Sequence, residues 1–397
     1  MSGVRPGVLM VTGAYYPELS GAGLQCYALV GRLRNEVDFT VITTTADRSL
    51  PSGEQNGTLV YRVFIDPVSA WSKFVGAIRL TLAFLRTCRR FSIVHLHGFS
   101  QKSIVIVLLA LAGRKTIAVK LTSVGHDDPV SMRRRSRLVW WCYGRASMFF
   151  AVSSRFRESY NAARLAPHRL RLIPNGVDLQ RFRPADGAER EALRRELSLP
   201  PRGAVVLFVG FFSPEKRPLL LFDAWEALAR SQELESTVVF VGATRSRYYE
   251  VDERLAETIR RRAAAAGLDG RVRFIESTHQ IERCHRAADI FVLPSVREGL
   301  PNALMEAMAS GAACVATRLE GITDDLIEHG RNGLLVPADD AVAIEDALRR
   351  LIADRAWAGR LGSEARRTIE ARFSLDGVAR QYLDAYHDLL DVRRCVA

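Results

Sequence analysis

The chain has 397 residues, 48% hydrophobic and 25% charged, which suits a folded globular protein long enough for two domains with complete cores. Its six cysteines, Cys26, Cys88, Cys142, Cys284, Cys314 and Cys395, stand far apart with no C-x-x-C pair. That spacing excludes a zinc site of Cys/His type and points to a reducing compartment. The formal charge of +12 favours acidic partners, among them phosphates, nucleic acid and anionic membrane surfaces.

The N-terminal apolar run is only Val8–Val11 and the longest apolar run is Ile104–Ala112. Neither has the length of a leader core or a membrane span, so a cytoplasmic chain is expected. From the N-terminus, strands are expected at Val8–Thr12, Val37–Thr43, Leu59–Phe64, Ile93–His97, Lys115–Leu121, Met148–Val152 and Leu170–Ile173. Helical patterns such as Ala22–Arg34, Ser72–Arg89 and Ser154–Arg164 lie between them. Continuous apolar strands alternating with helices imply a parallel sheet covered on both faces.

The polar stretch Asp178–Gly187, with one Pro and a closing Gly, reads as a linker. A second series follows it, with strands at Val205–Gly210, Val238–Gly242, Val272–Ile275, Ile290–Leu293, Ala313–Ala316 and Leu334–Val336. A last helix is expected from about Leu375 to Val392. The fold class is therefore α/β, with two Rossmann-like doubly wound parallel-sheet domains. The expected boundaries are 1–180 and 181–375, with a helix over 376–397 packing back towards the first domain. Ligands of such sheets bind where strand ends lead into helix N-termini.

Leu293–Gly311 is a strand end, a loop and a helix. Glu298 sits in the loop and Glu306 on the helix. Gly299 admits close backbone approach, and Pro301 suits the first helical turn. The N–H groups of Leu300, Asn302 and Ala303 then suit hydroxyl or phosphate oxygens. One turn in, Glu306 can accept hydrogen bonds from vicinal hydroxyls such as those of a ribose. The early loop Pro17–Leu24 offers Gly21 and Gly23 but no third glycine in register, so it is not a dinucleotide fingerprint.

The string EGLPNALMEAMASG, Glu298–Gly311, resembles the E-x(7)-E signature of retaining GT-B glycosyltransferases, specifically glycosyltransferase family 4, the group 1 glycosyl transferases. IPNGVD at Ile173–Asp178, AVSS at Ala151–Ser154 and GRNGLLVP at Gly330–Pro337 are similar to other segments of that family. The resemblance implies two domains facing across a cleft, the second binding a UDP- or GDP-sugar and the first the acceptor. It places Glu298 on the donor sugar, Glu306 on the ribose, and the amides of Gly21 and Gly23 towards the diphosphate. In VGFFSPEKRP, Val209–Pro218, Lys216 takes the role of diphosphate cation. Phe211 stands where family members usually carry an arginine, with Arg217 as a candidate to compensate. In VKLTSVGHDDP, Val119–Pro129, either His126 or Asp127 takes the position facing the anomeric carbon. His95 and His97 end a strand, with His95 alternating into the core.

The expected activity is a metal-independent, retaining transfer of a hexosyl group to a glycan, lipid-linked or polysaccharide acceptor. No cofactor, metal or nucleic acid is expected. Arg133, Arg134, Arg135 and Arg137 beside Trp140 and Trp141 suit an anionic surface, which would make the chain peripheral to the inner face of the cell membrane. The alternative is a non-catalytic sugar-nucleotide-binding subunit of a glycan assembly complex. A nicotinamide-dependent dehydrogenase lacks both its glycine fingerprint and its ribose acid here.

Overall fold

A computed structural model describes residues 5–18, 20–231, 235–244, 251–276 and 278–396. Leu19, inside the early glycine loop, lies outside the described residues. The chain divides into two compact units, Met1–Gly176 with Leu375–Ala397, and Val177–Ser374. The last helix therefore belongs to the first unit.

The first unit holds strands β1 (Gly7–Thr12), β2 (Asp38–Thr45), β3 (Gly53–Gln55), β4 (Thr58–Phe64), β5 (Ile93–His97), β6 (Thr116–Leu121), β7 (Met148–Ala151) and β8 (Leu170–Leu172). Its helices are α1 (Gly21–Leu33), α2 (Ala70–Thr87), α3 (Gln101–Ala112), α4 (Pro129–Arg135), α5 (Arg137–Gly144) and α6 (Ser154–Ala162). The sheet runs β3-β4-β2-β1-β5-β6-β7-β8. All pairings are parallel except β3 with β4. The short edge strand β3 was not expected. Its sequence, GEQ, has no apolar alternation, and it pairs with β4 because Asn56 and Gly57, both at positive φ, close a tight hairpin.

The second unit holds α7 (Gly187–Glu196), β9 (Ala204–Val209), α8 (Pro218–Arg230), β10 (Ser236–Val241), α9 (Glu253–Ala265), β11 (Val272–Ile275), α10 (Ile281–Ala287), β12 (Ile290–Leu293), α11 (Asn302–Ala309), β13 (Ala313–Thr317), β14 (Leu334–Val336), α12 (Ala341–Ala353) and α13 (Arg355–Arg372). Its sheet is wholly parallel in the order β11-β10-β9-β12-β13-β14. The polar residues read as a linker are turn and cap residues: Asp178 accepts from the N–H groups of Gln180 and Arg181, and Asp186 caps α7 through the Glu189 N–H. Thus both sheets are doubly wound α/β, as the alternating pattern implied.

The final helix, α14 (Leu375–Val396), buries Tyr382, Tyr386 and Leu389 in the core of the first unit, together with Val8, Met10, Leu29 and Ile93. Gly176 permits the approach of the returning chain, since a Cβ there would lie 2.8 Å from Leu375 Cα. In the second unit, Phe208, Phe212 and Phe240 pack ring to ring beneath the end of β9. This cluster gives the loop after β9 a rigid floor.

The order reverses between β9 and its two neighbours. β9 leads outward to β10 on one side and lies against β12 on the other. Loops leaving β9 and β12 must diverge to opposite faces of the sheet, which opens a crevice at their carboxyl ends. The residues of interest in this unit lie on those two loops.

Candidate active site

The loop after β9 starts under tight backbone constraint. Gly210 donates to Val241 O, and a Cβ on Gly242 would fall 2.0 Å from Gly210 O. Any side chain at 242 would push the two strand ends apart. The chain then turns through the buried Ser213, whose carbonyl accepts from the Lys216 N–H at 3.2 Å. Arg217 takes left-handed backbone, φ 52°, and Pro218 opens α8. Proline at that position surrenders an N–H that the helix could not have used.

The loop after β12 is bound to this one at three successive points. Val296 N–H donates to Glu215 O at 2.9 Å, Arg297 pairs with the Glu215 carboxylate at 2.6 Å, and Lys216 Nζ donates to Glu298 Oε1 at 2.6 Å. Glu298 is buried while Lys216 is about a quarter exposed. The ammonium thus satisfies a carboxylate that water barely reaches. An unpartnered anion there would carry a large desolvation cost.

Past Glu298, the chain enters α11 with Gly299, Leu300 and Pro301 buried and Asn302 half-buried. Pro301 is the residue before the helix rather than a member of its first turn: its ψ of 104° is extended, and the helix proper starts at Asn302. No side chain caps this helix.

Glu306 lies one turn further, four-fifths buried, with Oε2 3.6 Å from Nε2 of His285. His285 is fully buried on α10, its ring flanked by Phe182 and Phe291. Sequence reasoning passed over it. The available signal was a histidine in IERCHRA at a helical position that should be apolar, just before β12.

Arg217 is occupied elsewhere. Its guanidinium pairs with Asp339 at 2.8 Å, beyond β14, with Asp339 itself in left-handed backbone. Phe211 is half-buried at the mouth of the same loop. The loop after β9 therefore brings Lys216 to Glu298 and directs Arg217 to a different carboxylate.

In the first unit, Ser20 caps α1 through the Gly23 N–H at 3.1 Å. A Cβ at Gly23 would lie 2.5 Å from Ala14 O, so this glycine lets α1 start hard against the loop after β1. Gly21 is the exposed first residue of that helix. His126 is half-buried in the loop after β6, and its ring makes no hydrogen bond among the described residues. Asp127 beside it is buried and turned into its own loop. Its carboxylate accepts from Thr122 N–H at 2.9 Å, Thr122 Oγ1 at 2.7 Å and Ser123 N–H at 2.8 Å. Burial nonetheless pushes its carboxyl above the usual range. Asp128 caps α4: burial acts to raise its carboxyl, but donors on Ser131, Ser159 and Gly125 outweigh it and hold the group below the usual range.

His95 and His97 are both buried, and both are held neutral, mainly by loss of water around the ring. His95 Nδ1 lies 2.7 Å from Tyr386 Oη. Lys102, not singled out from sequence, reaches from α3 to Thr44 Oγ1 at 2.5 Å, and burial pulls its ammonium down to about 8. Among the described residues no group of three His, Cys, Asp or Glu side chains is arranged to hold a metal ion.

These features define a chain of two doubly wound units, with paired acidic and basic groups at the strand switch point of the second. The family described as Glycosyltransferase Family 4 matches residues 19–181, and that described as Glycosyl transferases group 1 matches residues 203–354. The chain belongs to the family 4, group 1 glycosyltransferases. It is 38% identical over 232 residues to a D-inositol 3-phosphate glycosyltransferase of Nocardioides sp., a match covering 55% of this chain and 48% of the relative. A protein of the same name from Salinispora tropica is 34% identical over 236 residues, covering 57% and 48% respectively. The chain spans about half the length of the curated relatives it matches. Among solved structures, sucrose-phosphate synthase from Thermosynechococcus elongatus superimposes with a TM-score of 0.80 at 22% identity, over 98% of this chain and 100% of that one. HepE from Anabaena, in complex with UDP, does so with a TM-score of 0.78 at 19% identity, over 96% and 100%. These last two share the GT-B fold with this chain.

Proposed function

We propose that the protein transfers a hexosyl group from a nucleotide sugar to a hydroxyl acceptor, with retention of anomeric configuration and without a metal ion. The observation that carries this reading is the Lys216–Glu298 pair at the β9–β12 switch point, with Glu306 one helical turn further on. Glu298 receives hydroxyls of the donor sugar, Glu306 receives the ribose diol, and Lys216 faces the diphosphate. A UDP- or GDP-sugar suits this arrangement, and HepE, similar in fold, has been solved with UDP-glucose.

In the proposed reaction the bond between the anomeric carbon and the phosphate oxygen breaks as the acceptor oxygen bonds the same face. The acceptor proton passes to an oxygen of the departing diphosphate. Negative charge grows on that diphosphate, and a fixed ammonium at Lys216 is worth more in the transition state than before it. No protein nucleophile takes part. His126, with its ring unengaged, is the better candidate than Asp127 for the group facing the anomeric carbon, because the Asp127 carboxylate is already filled by three donors.

Candidate acceptors are a glycan, a lipid-linked saccharide or a polysaccharide end. The exposed arginines Arg133, Arg134, Arg135 and Arg137 suit attachment to an anionic membrane surface on the cytoplasmic side. A non-catalytic nucleotide-binding subunit is the second reading, favoured by one observation: Phe211 replaces a cation and Arg217 is drawn to Asp339. One experiment separates the two. Purified protein is incubated with a panel of UDP- and GDP-sugars and saccharide acceptors, with and without EDTA, and nucleoside diphosphate release and product anomeric configuration are followed by NMR. Transfer with retention, undiminished by EDTA, is expected. Tight nucleotide binding without transfer or donor hydrolysis on any pair would establish the second reading.

A further inference from the structure

The sequence of α2, AWSKFVGAIRLTLAFLRT, is apolar around most of its circumference. A helix of that kind is normally buried on all sides. One face of α2 is: Gly76, Leu80, Ala83, Phe84 and Thr87 pack inward, with α2 lying against β4 and β2. The opposite face is bare. Trp71 is 73% exposed, Phe74 58% and Leu85 55%, with Ile78 and Leu82 also in the open. Their spacings of three and four residues put all five side chains within an arc of about 80° at ~100° per residue. The stripe is about 21 Å long at ~1.5 Å per residue. Of the exposed large apolar residues described, most lie on this helix, on its neighbour α3 or on α5, which packs against α3, including Leu108 and Trp141.

The charge along this stretch of the chain points to an occupant. Residues 67–157 contain sixteen Lys and Arg but only two acids, Asp127 and Asp128, with Asp66 and Glu158 at the borders of the stretch and Lys102, Lys115 and Lys120 turned inward. Asp127 and Asp128 are buried and engaged within the first unit. Arg79, Arg86, Arg89 and Arg90, on or just after α2, are all exposed. On α5, Trp141 carries the Arg145 guanidinium 4.5 Å above its ring. A second copy of the same face would meet it with like charge and be repelled. A surface that is apolar within and anionic outside meets both requirements: acyl chains take the stripe, and lipid phosphates take the arginines. Among the described residues no helix is long and apolar enough to cross a membrane. An in-plane seat fits the one-sided stripe.

We propose that α2 is a membrane-inserting helix, lying parallel to an anionic bilayer with Trp71, Phe74, Ile78, Leu82 and Leu85 seated at the headgroup–acyl boundary. The proposal extends the surface attachment assigned above to Arg133–Arg137 and rests on it for the sign of the lipid charge. It adds a hydrophobic component with its own signature. Attachment through arginines alone is lost in high salt, whereas an inserted stripe holds part of its affinity when charge is screened.

The test uses the full chain with vesicles of phosphatidylglycerol and phosphatidylcholine in equal parts, and with phosphatidylcholine alone. Tryptophan emission is read with and without bromine-labelled acyl chains. On the mixed vesicles, emission should shift to the blue and be quenched by bromine, and Trp71→Phe should remove a large part of that quenching. The triple variant Phe74→Gln/Ile78→Gln/Leu82→Gln changes only exposed positions and should leave the thermal midpoint near that of the parent. Its partition into the mixed vesicles should fall by about 100-fold or more, from about 5-fold or more for each of the three side chains removed from apolar surroundings. Binding that is salt-sensitive, with no bromine quenching assignable to Trp71, would overturn insertion while leaving the arginine attachment standing. Absence of binding to the mixed vesicles would overturn both. Concentration-dependent self-association in the absence of lipid, abolished by the triple variant, would assign the stripe to a protein partner and overturn the proposal.

Discussion

The Lys216 ammonium stands 2.6 Å from Glu298 Oε1 across 82 residues of sequence, joining the loops that leave the neighbouring strands β9 and β12. The pair has two consequences. It neutralises a buried carboxylate, and it fixes a positive charge where strand topology opens a crevice. A charge held in place before a reaction needs no reorganisation when negative charge develops beside it.

Lys216→Ala should lower the turnover number by ~100-fold or more, in the range known for removing one fixed charge-stabilising group, with a smaller effect on KM. It should also cost about 1–3 kcal/mol of stability, since Glu298 loses its partner while still buried. The double variant Lys216→Met/Glu298→Gln should regain most of that stability and none of the turnover. Steady-state kinetics and thermal melts on the three proteins check this. Recovery of transfer by the double variant would reduce the pair to a structural tie.

Glu306→Ala should weaken nucleotide binding, read by calorimetry with UDP and GDP, by removing the proposed ribose acceptor. His285→Phe tests the neighbour that sequence reasoning missed. With His285 Nε2 3.6 Å from Glu306, the ring limits the positions the carboxylate can take. The phenylalanine variant should keep the fold, because the site is lined by Phe182 and Phe291. It should raise the nucleotide Kd severalfold, with turnover at saturating donor close to that of the parent. Equal loss of turnover and affinity would mean that His285 does more than position Glu306.

The two sheets were legible because their strands are continuous apolar runs bounded by polar turns, as in VVLFV at residues 205–209. The E-x(7)-E string led to Glu298 and Glu306 and the loop after β9 led to Lys216, although neither led to the contact between Lys216 and Glu298, which depends on β9 and β12 being neighbours. That adjacency is a non-local fact: the two strands are separated in sequence by β10 and β11. His285 and Lys102 were illegible for a related reason. Each has its meaning only through partners far away in the chain, Glu306 in one case and Thr44 in the other. β3 was lost because three polar residues carry no period.

The buried imidazoles of His95 and His97 give the first unit a defined acid response. Desolvation lowers both pKa values well below 6.5, so the folded state keeps the rings neutral where the unfolded chain protonates. Below about pH 6.5 the unfolded state therefore binds more protons, and stability falls as pH falls. The thermal midpoint of the first unit should drop progressively from pH 6.5 towards pH 5. His97→Gln should flatten that slope. An unchanged slope would mean that other groups set the acid limit.

Asp127 and His126 are adjacent, and their surroundings differ. Three donors from Thr122 and Ser123 fill the Asp127 carboxylate, and Tyr143 Oη donates to its backbone carbonyl at 3.1 Å. An amide at this position would present N–H where an acceptor is needed, so Asp127→Asn should destabilise the first unit by about 1–3 kcal/mol. At a temperature where the variant remains folded, its turnover should stay within a few-fold of the parent. The ring of His126 has no such engagement among the described residues, and it is the group we propose to meet a ligand at this loop. His126→Ala should leave the thermal midpoint nearly unchanged while lowering turnover by ~100-fold, the lower end of what a positioned proton-transfer or charge-stabilising side chain contributes. Melting curves and initial rates on the two variants decide the matter together. If Asp127→Asn loses turnover at full folding while His126→Ala retains it, the roles are reversed. The carboxylate would then have to leave its three donors to meet the sugar.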